Sequence, residues 1–136
     1  MNRKAKNGTF SDHVGFRFYE DEEGKVTVAL NVDAHLLNRI DTLHGGVHAT
    51  MIDNVLGATI FAATEVPSTT IQLSVHYFEP VAEGELIATA TILKQSYKLV
   101  TAEGVIVDQS GTVVAKGMGT FKLLHAKKEL VEWAES

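Results

Sequence analysis

Hydrophobic and polar residues alternate along most of this chain, as they do in strands that bury one face. Short turns rich in glycine and acidic residues interrupt the alternation, which is typical of hairpin connections. The pattern predicts six strands, over residues 14–19, 26–30, 70–78, 86–93, 100–107 and 112–123. In the third strand the alternation places Ile71, Leu73, Val75 and Tyr77 together on one face, the apolar one that we expect to point inward. Because short turns join antiparallel neighbours, we expect an antiparallel sheet.

One long stretch, residues 43–63, lacks this alternation and is apolar on nearly every side. In a soluble protein, a helix without a polar face is enclosed by other structure. The preceding segment, 33–43, has no regular period and is predicted to be an ordered loop with at most one short turn. Gly45 and Gly46 lie at the start of the helix, and a single carboxylate, Asp53, lies inside the apolar run.

The order of the elements is two strands, a long buried helix and four strands. It predicts the α+β class, with a curled antiparallel sheet wrapped around one long central helix. The domain is expected over residues 13–124, after a flexible segment (1–12) and before a tail (125–136), in which Lys127 to Glu135 can form a short amphipathic helix. A sheet covered by a single helix keeps open edges, so we expect subunits to pair there.

Composition narrows the classes of function. With 136 residues, 45% of them hydrophobic and 21% charged, the chain fits one globular domain. A net charge of −5 without a cluster of lysine and arginine argues against nucleic acid as a partner. The absence of cysteine excludes disulfides, thiolate zinc sites and cysteine nucleophiles. The longest apolar run, Val55 to Ala63, is too short to cross a membrane, and no signal sequence precedes it, so a cytoplasmic protein is expected.

The start and the middle of the helix carry the candidate chemistry. Glycines allow close backbone approach, and the unpaired N–H groups of a helix start stabilise a developing negative charge. Such groups can polarise a carbonyl and hold a tetrahedral intermediate. A carboxylate in apolar surroundings, here Asp53, suits a general base or a nucleophile. Together these features indicate acyl transfer or hydrolysis.

The two features lie too far apart to act together within one subunit. His44 and Asp53 are nine residues apart, which places them on roughly opposite helix faces and about 14 Å apart along the axis. If both are functional, the site must combine the helix start of one protomer with Asp53 of another.

A set of residues in and around the helix resembles a known family. The set consists, in chain order, of Asn38, the run His44-Gly45-Gly46, Asp53, and the strand 70–78 that leads to Pro80. A histidine and two glycines at a helix start, with an acid nine residues after the histidine, resemble the hotdog-fold acyl-CoA thioesterases. The likeness extends over about residues 13–124 and is greatest to the PaaI-like branch, named after the phenylacetate pathway.

The resemblance implies a hotdog fold and hydrolysis of an acyl-CoA thioester to a free acid and coenzyme A, without a metal or a separate cofactor. It also implies a homodimer whose two sheets join into one continuous sheet and whose two sites lie at the subunit interface. Further pairing of dimers into a homotetramer is expected from the same resemblance.

On the matching positions, the resemblance implies that the Gly45 N–H holds the thioester carbonyl oxygen, with His44 supporting that geometry. Asp53 of the other protomer would be the base or the nucleophile. Asn38 would place the attacking water or the thioester, and Thr70 would orient water. Contacts to coenzyme A are expected at Gly46, Lys94, Tyr97 and Lys98.

Plainer roles stay open for most of these residues. Asp53 could be a structural buried acid, although an unpaired buried charge is costly. His44 could bond to its own loop, Asn38 could cap a turn, and Thr70 could be an ordinary strand residue. The spacing of His44 and His48 is also that of metal ligands, but a third ligand is not evident.

Other functions on the same fold also stay open. A non-catalytic acyl-CoA sensor would not need Asp53, and a hydratase or dehydratase would need a loop histidine opposite an acid. A serine hydrolase is excluded, because no G-x-S-x-G run surrounds Ser68 or Ser74.

Overall fold

The computed structural model describes residues 8–127, in which six antiparallel strands form one sheet around a long helix. This arrangement confirms the predicted α+β class. The helices are α1 (Phe10–Val14) and α2 (Gly45–Thr64), and 3₁₀ turns lie at Ala34–Leu36 and His125–Lys127. The strands are β1 (Arg17–Glu20), β2 (Val26–Asn31), β3 (Ser68–Tyr77), β4 (Glu85–Gln95), β5 (Leu99–Val107) and β6 (Val113–Leu123).

The strands lie across the sheet in the order β1-β2-β4-β5-β6-β3. Helix α2 therefore carries the chain from β2, near one edge, to β3 at the opposite edge. Along one side β3 pairs with β6, with Thr70 opposite Phe121 and Tyr77 opposite Ala115. The other side of β3 has no strand partner among residues 8–127, so an edge of ten residues is open.

Helix α2 packs one face against the inner side of the sheet. Its fully buried apolar side chains are spaced three and four residues apart, as one helix face requires; they are Met51, Ile52, Val55, Leu56 and Ile60. Within a single chain the helix is only partly enclosed. Val47, Asn54, Ala58 and Phe61 on the other side are half-buried, because the one sheet covers the helix from one direction.

The sheet approaches α2 closely because glycines stand at the contact. A Cβ atom on Gly117 would lie 2.7 Å from the side chain of Ile52 and 2.8 Å from the carbonyl oxygen of Ser74. A Cβ atom on Gly104 would lie 3.1 Å from the side chain of Leu56. Glycine weakens a strand by itself, but here it sets how deep the helix lies against the sheet.

The beginning of the domain differs from the prediction. Residues 10–12, expected in a flexible segment, and Val14, expected in the first strand, belong to α1 instead. Thr9 and Asp12 form a capping box at the start of α1, and Gly15 ends the helix with a φ of 101°. Five residues are too few for apolar spacing to distinguish a helix from a strand. Consequently β1 begins three residues later than predicted.

Strand β3 contains a bulge that the alternation did not reveal. The pairing register shifts between Thr70 and Gln72, so that one extra residue is inserted there. Ile71, predicted to share the inner face with Leu73 and Val75, is 54% exposed, whereas the other two pack against the core. The bulge leaves Thr70 directed towards α2.

The segment before α2 is an ordered loop with one 3₁₀ turn, as predicted. The amphipathic helix predicted for the tail lies outside the described residues. Helix α2 has 20 residues, yet no helix between residues 8 and 127 is both long and apolar enough to span a membrane.

Candidate active site

The loop before α2 is folded around the side chain of Asn38. Its Oδ1 accepts hydrogen bonds from the N–H groups of Ile40 (3.0 Å) and Thr42 (3.1 Å), and its Nδ2 donates to Thr42 Oγ1 (2.8 Å). An isolated bridge between Leu37 and Leu43 closes the loop. These are the contacts of a turn-forming residue, the plainer of the two roles that the sequence left open. They show no direct sign of the predicted role in placing water or the thioester.

His44 caps the start of α2 with its ring. The ring Nδ1 accepts a hydrogen bond from the Gly46 N–H at 2.8 Å, and the His44 N–H donates to the Leu36 carbonyl oxygen at 3.0 Å. A neutral imidazole that accepts through Nδ1 carries its proton on Nε2, so the exposed edge of His44 is a hydrogen-bond donor. The Gly46 N–H thus already has an acceptor in His44, while the predicted contact of Gly46 to coenzyme A stays a prediction.

Gly45 presents an unused N–H group at the positive end of α2. It is the first residue of the helix, where N–H groups have no intrahelical acceptor. No other group among residues 8–127 accepts a hydrogen bond from it. The Gly45 carbonyl oxygen, by contrast, accepts a hydrogen bond of 2.7 Å from the hydroxyl of Tyr77, at the end of β3. The start of α2 therefore offers one free donor in a fixed place.

Asp53 meets Thr70 across the gap between α2 and β3. The Thr70 hydroxyl donates to Asp53 Oδ1 at 2.5 Å, and the second carboxylate oxygen has no hydrogen-bond partner in the described part of the chain. Asp53 is half-buried and Thr70 is exposed. The next residue, Asn54, donates to the Ser11 hydroxyl of α1 at 3.0 Å, which ties the N-terminal helix to α2.

The structure brings Asp53 and Thr70 together but keeps both away from the helix start. Eight residues of continuous helix separate Gly45 from Asp53, which corresponds to about 12 Å along the axis. A cavity of about 630 Å³ borders the helix start, and its lining residues are Leu37, Asn38, Arg39, Ile40 and His44. Asp53 does not line this cavity, so one chain contains two separate halves of a candidate site.

His48 is a buried polar residue one turn into α2. It is 3% exposed, and neither ring nitrogen has a hydrogen-bond partner among residues 8–127. Burial lowers the pKa of His48 below its usual value, although the nearby backbone of His44 partly opposes this. The described residues contain no group of three histidine, aspartate or glutamate side chains that could hold a metal ion. The i, i+4 histidines are thus a capping residue and a packed residue.

Tyr97 stands in the connection between β4 and β5, with its ring 73% exposed. His125 stacks on it with ring centroids 4.0 Å apart and an angle of 7° between the planes. His125 Nε2 is also 2.6 Å from the Tyr97 carbonyl oxygen. Lys94 and Lys98 are exposed near the same connection. Three of the four residues predicted to contact coenzyme A, Lys94, Tyr97 and Lys98, are therefore exposed in or next to this connection.

Sequence reasoning missed Arg39, His125 and the hydroxyl of Tyr77. Tyr77 was expected on the inner face of β3, but its reach to the helix start depends on how the edge strand crosses α2. His125 lies beyond the last strand, where no pattern pointed to a stacking partner. Arg39 stands in the loop between two motif residues, and its place at the cavity follows from the turn around Asn38.

The class of protein follows from a match to the model of the thioesterase superfamily. That model matches residues 41–115, which is more than half of the chain and includes Gly45, Asp53 and Thr70. The chain therefore belongs to the thioesterase superfamily. Human acyl-coenzyme A thioesterase 13 is 31% identical to it over 100 residues, which cover 71% of each chain.

Solved structures agree with this assignment. The chain is similar to the PaaI protein of the phenylacetic acid degradation operon of E. coli, with a TM-score of 0.79, 22% identity, and coverage of 87% of this chain and 86% of that one. It is similar to protein BH2602 of Bacillus halodurans, solved with CoA, with a TM-score of 0.81, 27% identity, and coverage of 88% and 82%. The fold is the hotdog fold, and the predicted membership of the thioesterase superfamily is confirmed. The finer placement in the PaaI-like branch stays a prediction.

Proposed function

We propose that this protein hydrolyses an acyl-CoA thioester at sites shared between two protomers of a homodimer. The class of enzyme, an acyl-CoA thioesterase, follows from family membership. The observation that carries the shared site is the separation within one chain of the free Gly45 N–H from the Asp53–Thr70 pair. Each site would combine the start of α2 from one protomer with Asp53 and Thr70 from the other.

The start of α2 supplies the electrophilic half of this site. A donor at a helix start stabilises the negative charge that develops on a thioester carbonyl oxygen when it is attacked. The Gly45 N–H is such a donor, and the His44 Nε2–H is a second one beside it. Because His44 is held by Gly46, its donor is oriented before substrate arrives, so little reorganisation is needed during the reaction.

Asp53 and Thr70 supply the other half. In one route, Asp53 takes a proton from water as the water oxygen bonds to the thioester carbon. The tetrahedral intermediate then expels CoA thiolate, which takes that proton from Asp53 and regenerates the carboxylate. In the other, the free carboxylate oxygen attacks directly, CoA leaves, and water hydrolyses the resulting anhydride. The Thr70 hydroxyl orients the carboxylate in both routes, because its hydrogen bond occupies Oδ1 and leaves Oδ2 for the reaction.

Two features support pairing of protomers through β3. The free edge of this strand is ten residues long and exposes backbone groups that a second copy can pair with. The side of α2 that the sheet does not cover carries half-buried apolar side chains such as Val47 and Phe61. An antiparallel partner at this edge would extend the sheet and bring its own Asp53 near the helix start. Pairing of dimers into a tetramer stays an expectation of the family resemblance.

Coenzyme A, the leaving group, is proposed to lie along the surface formed by Lys94, Tyr97, Lys98 and His125. An exposed ring face suits the adenine base, and ammonium groups suit the phosphates. This part is tested with Lys98→Ala and Tyr97→Ala variants and two substrates. We expect KM to rise about tenfold for an acyl-CoA and to stay unchanged for the same acyl group on N-acetylcysteamine, which lacks the nucleotide. Equal changes for both substrates would contradict this placement.

The shared site is tested by complementation between two inactive variants. Gly45→Pro deletes the N–H group, and Asp53→Asn deletes the carboxylate. If the halves come from different chains, a hybrid dimer of the two variants contains one intact site, and we expect about half of the wild-type activity. The hybrid is isolated by two different affinity tags, and thiol release is followed with aryl- and alkyl-acyl-CoA substrates.

The control is a dimer of two differently tagged Asp53→Asn chains, which contains no intact site and should stay inactive. An inactive hybrid, alongside an active wild-type protein, would show that Gly45 and Asp53 do not serve one site across the interface. A wild-type protein that binds acyl-CoA without releasing thiol would instead favour the sensor alternative.

A further inference from the structure

Tyr77 joins the end of β3 to the start of α2. Its hydroxyl donates to the Gly45 carbonyl oxygen at 2.7 Å, and its ring would lie 3.5 Å from a Cβ atom placed on Gly45. The ring also meets the buried ring of His48 edge-on, with centroids 5.4 Å apart and an angle of 90°. A side chain that is 52% exposed thus makes its one hydrogen bond beside the candidate oxyanion donor.

The peptide unit between Gly45 and Gly46 is held at both of its polar atoms. Its carbonyl oxygen accepts from Tyr77, and its N–H donates to His44 Nδ1 at 2.8 Å. Because a peptide unit is planar, two hydrogen bonds at opposite ends fix its orientation. One residue earlier, the His44 N–H is held by the Leu36 carbonyl oxygen at 3.0 Å. The Gly45 N–H therefore lies between two restrained peptide units.

Such restraint matters at this position because both residues are glycines. Glycine has access to far more backbone conformations than other residues, and the first turn of a helix lacks half of its internal hydrogen bonds. Carbonyl groups in the first turn already accept from N–H groups four residues later. The hydroxyl of Tyr77 is thus a second bond to Gly45 and is not required to satisfy its carbonyl oxygen.

We propose that Tyr77 is a positioning residue for hydrolysis: through the Gly45 carbonyl oxygen, it fixes the direction of the Gly45 N–H towards the thioester oxygen. This inference rests on the proposed function. Tyr77 itself does not touch the reacting atoms. Its loss should therefore slow the chemical step without weakening substrate binding, because the donor would still be present but would spend less time aligned.

The test compares Tyr77→Phe with Tyr19→Phe. The two tyrosines are equally exposed, at 52%, and the Tyr19 hydroxyl, on β1, likewise makes one hydrogen bond, accepted from Arg17 at 3.3 Å. We expect Tyr77→Phe to lower kcat about tenfold with KM within about twofold of wild type, while Tyr19→Phe changes neither. Thermal unfolding of both variants should match that of the wild-type protein closely.

A second comparison separates positioning from a general structural role. In a Gly45→Pro background the donor is absent, so Tyr77→Phe should cause no further loss of kcat. In a Gly45→Ala background the backbone is already stiffer, so the loss caused by Tyr77→Phe should shrink. A purely structural tyrosine would lower activity by the same factor in every background.

The outcomes distinguish this inference from the proposed function. If the wild-type protein is active and Tyr77→Phe equals Tyr19→Phe in kcat, the positioning role is wrong and the proposed function stands. Equal losses of kcat on adding Tyr77→Phe to the wild-type protein and to the Gly45→Pro variant would also overturn the positioning role. If the wild-type protein releases no thiol from any acyl-CoA, the proposed function fails, and this inference fails with it.

Discussion

The start and the middle of helix α2 both carry candidate catalytic groups, yet they are built differently. At the start, His44, Gly46 and Tyr77 hold the backbone on both sides of the Gly45 N–H, and the loop around Asn38 holds the chain before it. In the middle, the Asp53 carboxylate accepts a single hydrogen bond within residues 8–127, from Thr70.

The difference lies in how far the contacts within one chain hold each candidate group. The helix start is preorganised inside one protomer, because its contacts come from the same loop, helix and strand. Asp53 is half-buried, and its second carboxylate oxygen makes no hydrogen bond within the described chain. In the proposed dimer, the restrained Gly45 N–H of one protomer would lie next to the less restrained Asp53 of the other.

The largest expected effect is the loss of the carboxylate in the middle of α2. Asp53→Asn keeps the size of the side chain and its acceptor for Thr70, but it removes the group that takes a proton or attacks. We expect kcat to fall by about 10²–10⁴-fold, measured by thiol release. The control is Asp33→Asn, because the Asp33 side chain is exposed and makes no capping hydrogen bond. Full turnover by Asp53→Asn would remove Asp53 from the mechanism.

The next effect concerns the donor at the helix start. Gly45→Pro removes one N–H group at a position where proline fits, since it is the first helical residue and His44 before it has φ −59° and ψ 135°. We expect kcat to fall about 10²–10³-fold, the usual cost of losing an oxyanion-hole donor. Gly45→Ala is the matched control, since it keeps the N–H and its Cβ would make ordinary contact with Tyr77 at 3.5 Å. Equal activities for the two variants would show that the amide is not used.

A smaller effect is expected from the one hydrogen bond that holds Asp53. Thr70→Val removes the hydroxyl and keeps the shape, and a hydrogen bond to a charged group contributes about 1.5 kcal/mol, which corresponds to about tenfold in kcat. Thr69→Val, at the neighbouring exposed position of β3, is the control. If both valine variants behave alike, Thr70 is an ordinary strand residue and Asp53 is oriented by something else.

The smallest effect concerns stability near the helix start. Burial lowers the pKa of His48 in the folded state below its usual value of 6.5, so the unfolded chain binds the proton more readily. The free energy of unfolding should therefore be greatest above pH 6.5 and should fall as the pH drops below it. The free energy of unfolding is measured with urea at about pH 7.5 and about pH 5.5. Its decrease between the two pH values should be smaller for His48→Met than for the wild-type protein. The control is His76→Gln, at an exposed histidine, in which the free energy of unfolding should decrease as much as in the wild-type protein. If it decreases as much in His48→Met as well, the prediction is wrong.

Much of the fold could be predicted because its signals are local. Period-two alternation and short turns marked the six strands, and the absence of alternation marked α2. The predictions were wrong where a local pattern was too short to decide or where the chain departed from regular pairing. The apolar spacing near Val14 reads equally as strand or helix, and the capping box of Thr9 and Asp12 decided for helix. At Ile71, a bulge moved a predicted inner side chain to the outside.

In the candidate site, too, some features could be predicted from the sequence and others could not. The family resemblance named Asp53 and Thr70 as site residues but not the hydrogen bond between them. Helix geometry alone separated Asp53 from the helix start. The hydrogen bonds from the Gly46 N–H to His44 and from the Tyr77 hydroxyl to the Gly45 carbonyl oxygen depend on ring orientations and on where β3 ends. Sequence spacing carries no information on either, so the internal bracing of the helix start could not be foreseen.

Gly117 affects how closely α2 and β3 approach each other at the candidate site. The place of its missing Cβ lies between the side chain of Ile52, which is next to Asp53 along α2, and the carbonyl oxygen of Ser74 on β3, the strand that carries Thr70. A methyl group added there would push α2 and β3 apart. A hydrogen bond of 2.5 Å between Asp53 and Thr70 leaves little slack for such a shift. The absence of a side chain at Gly117 thus allows the short distance between the two polar groups.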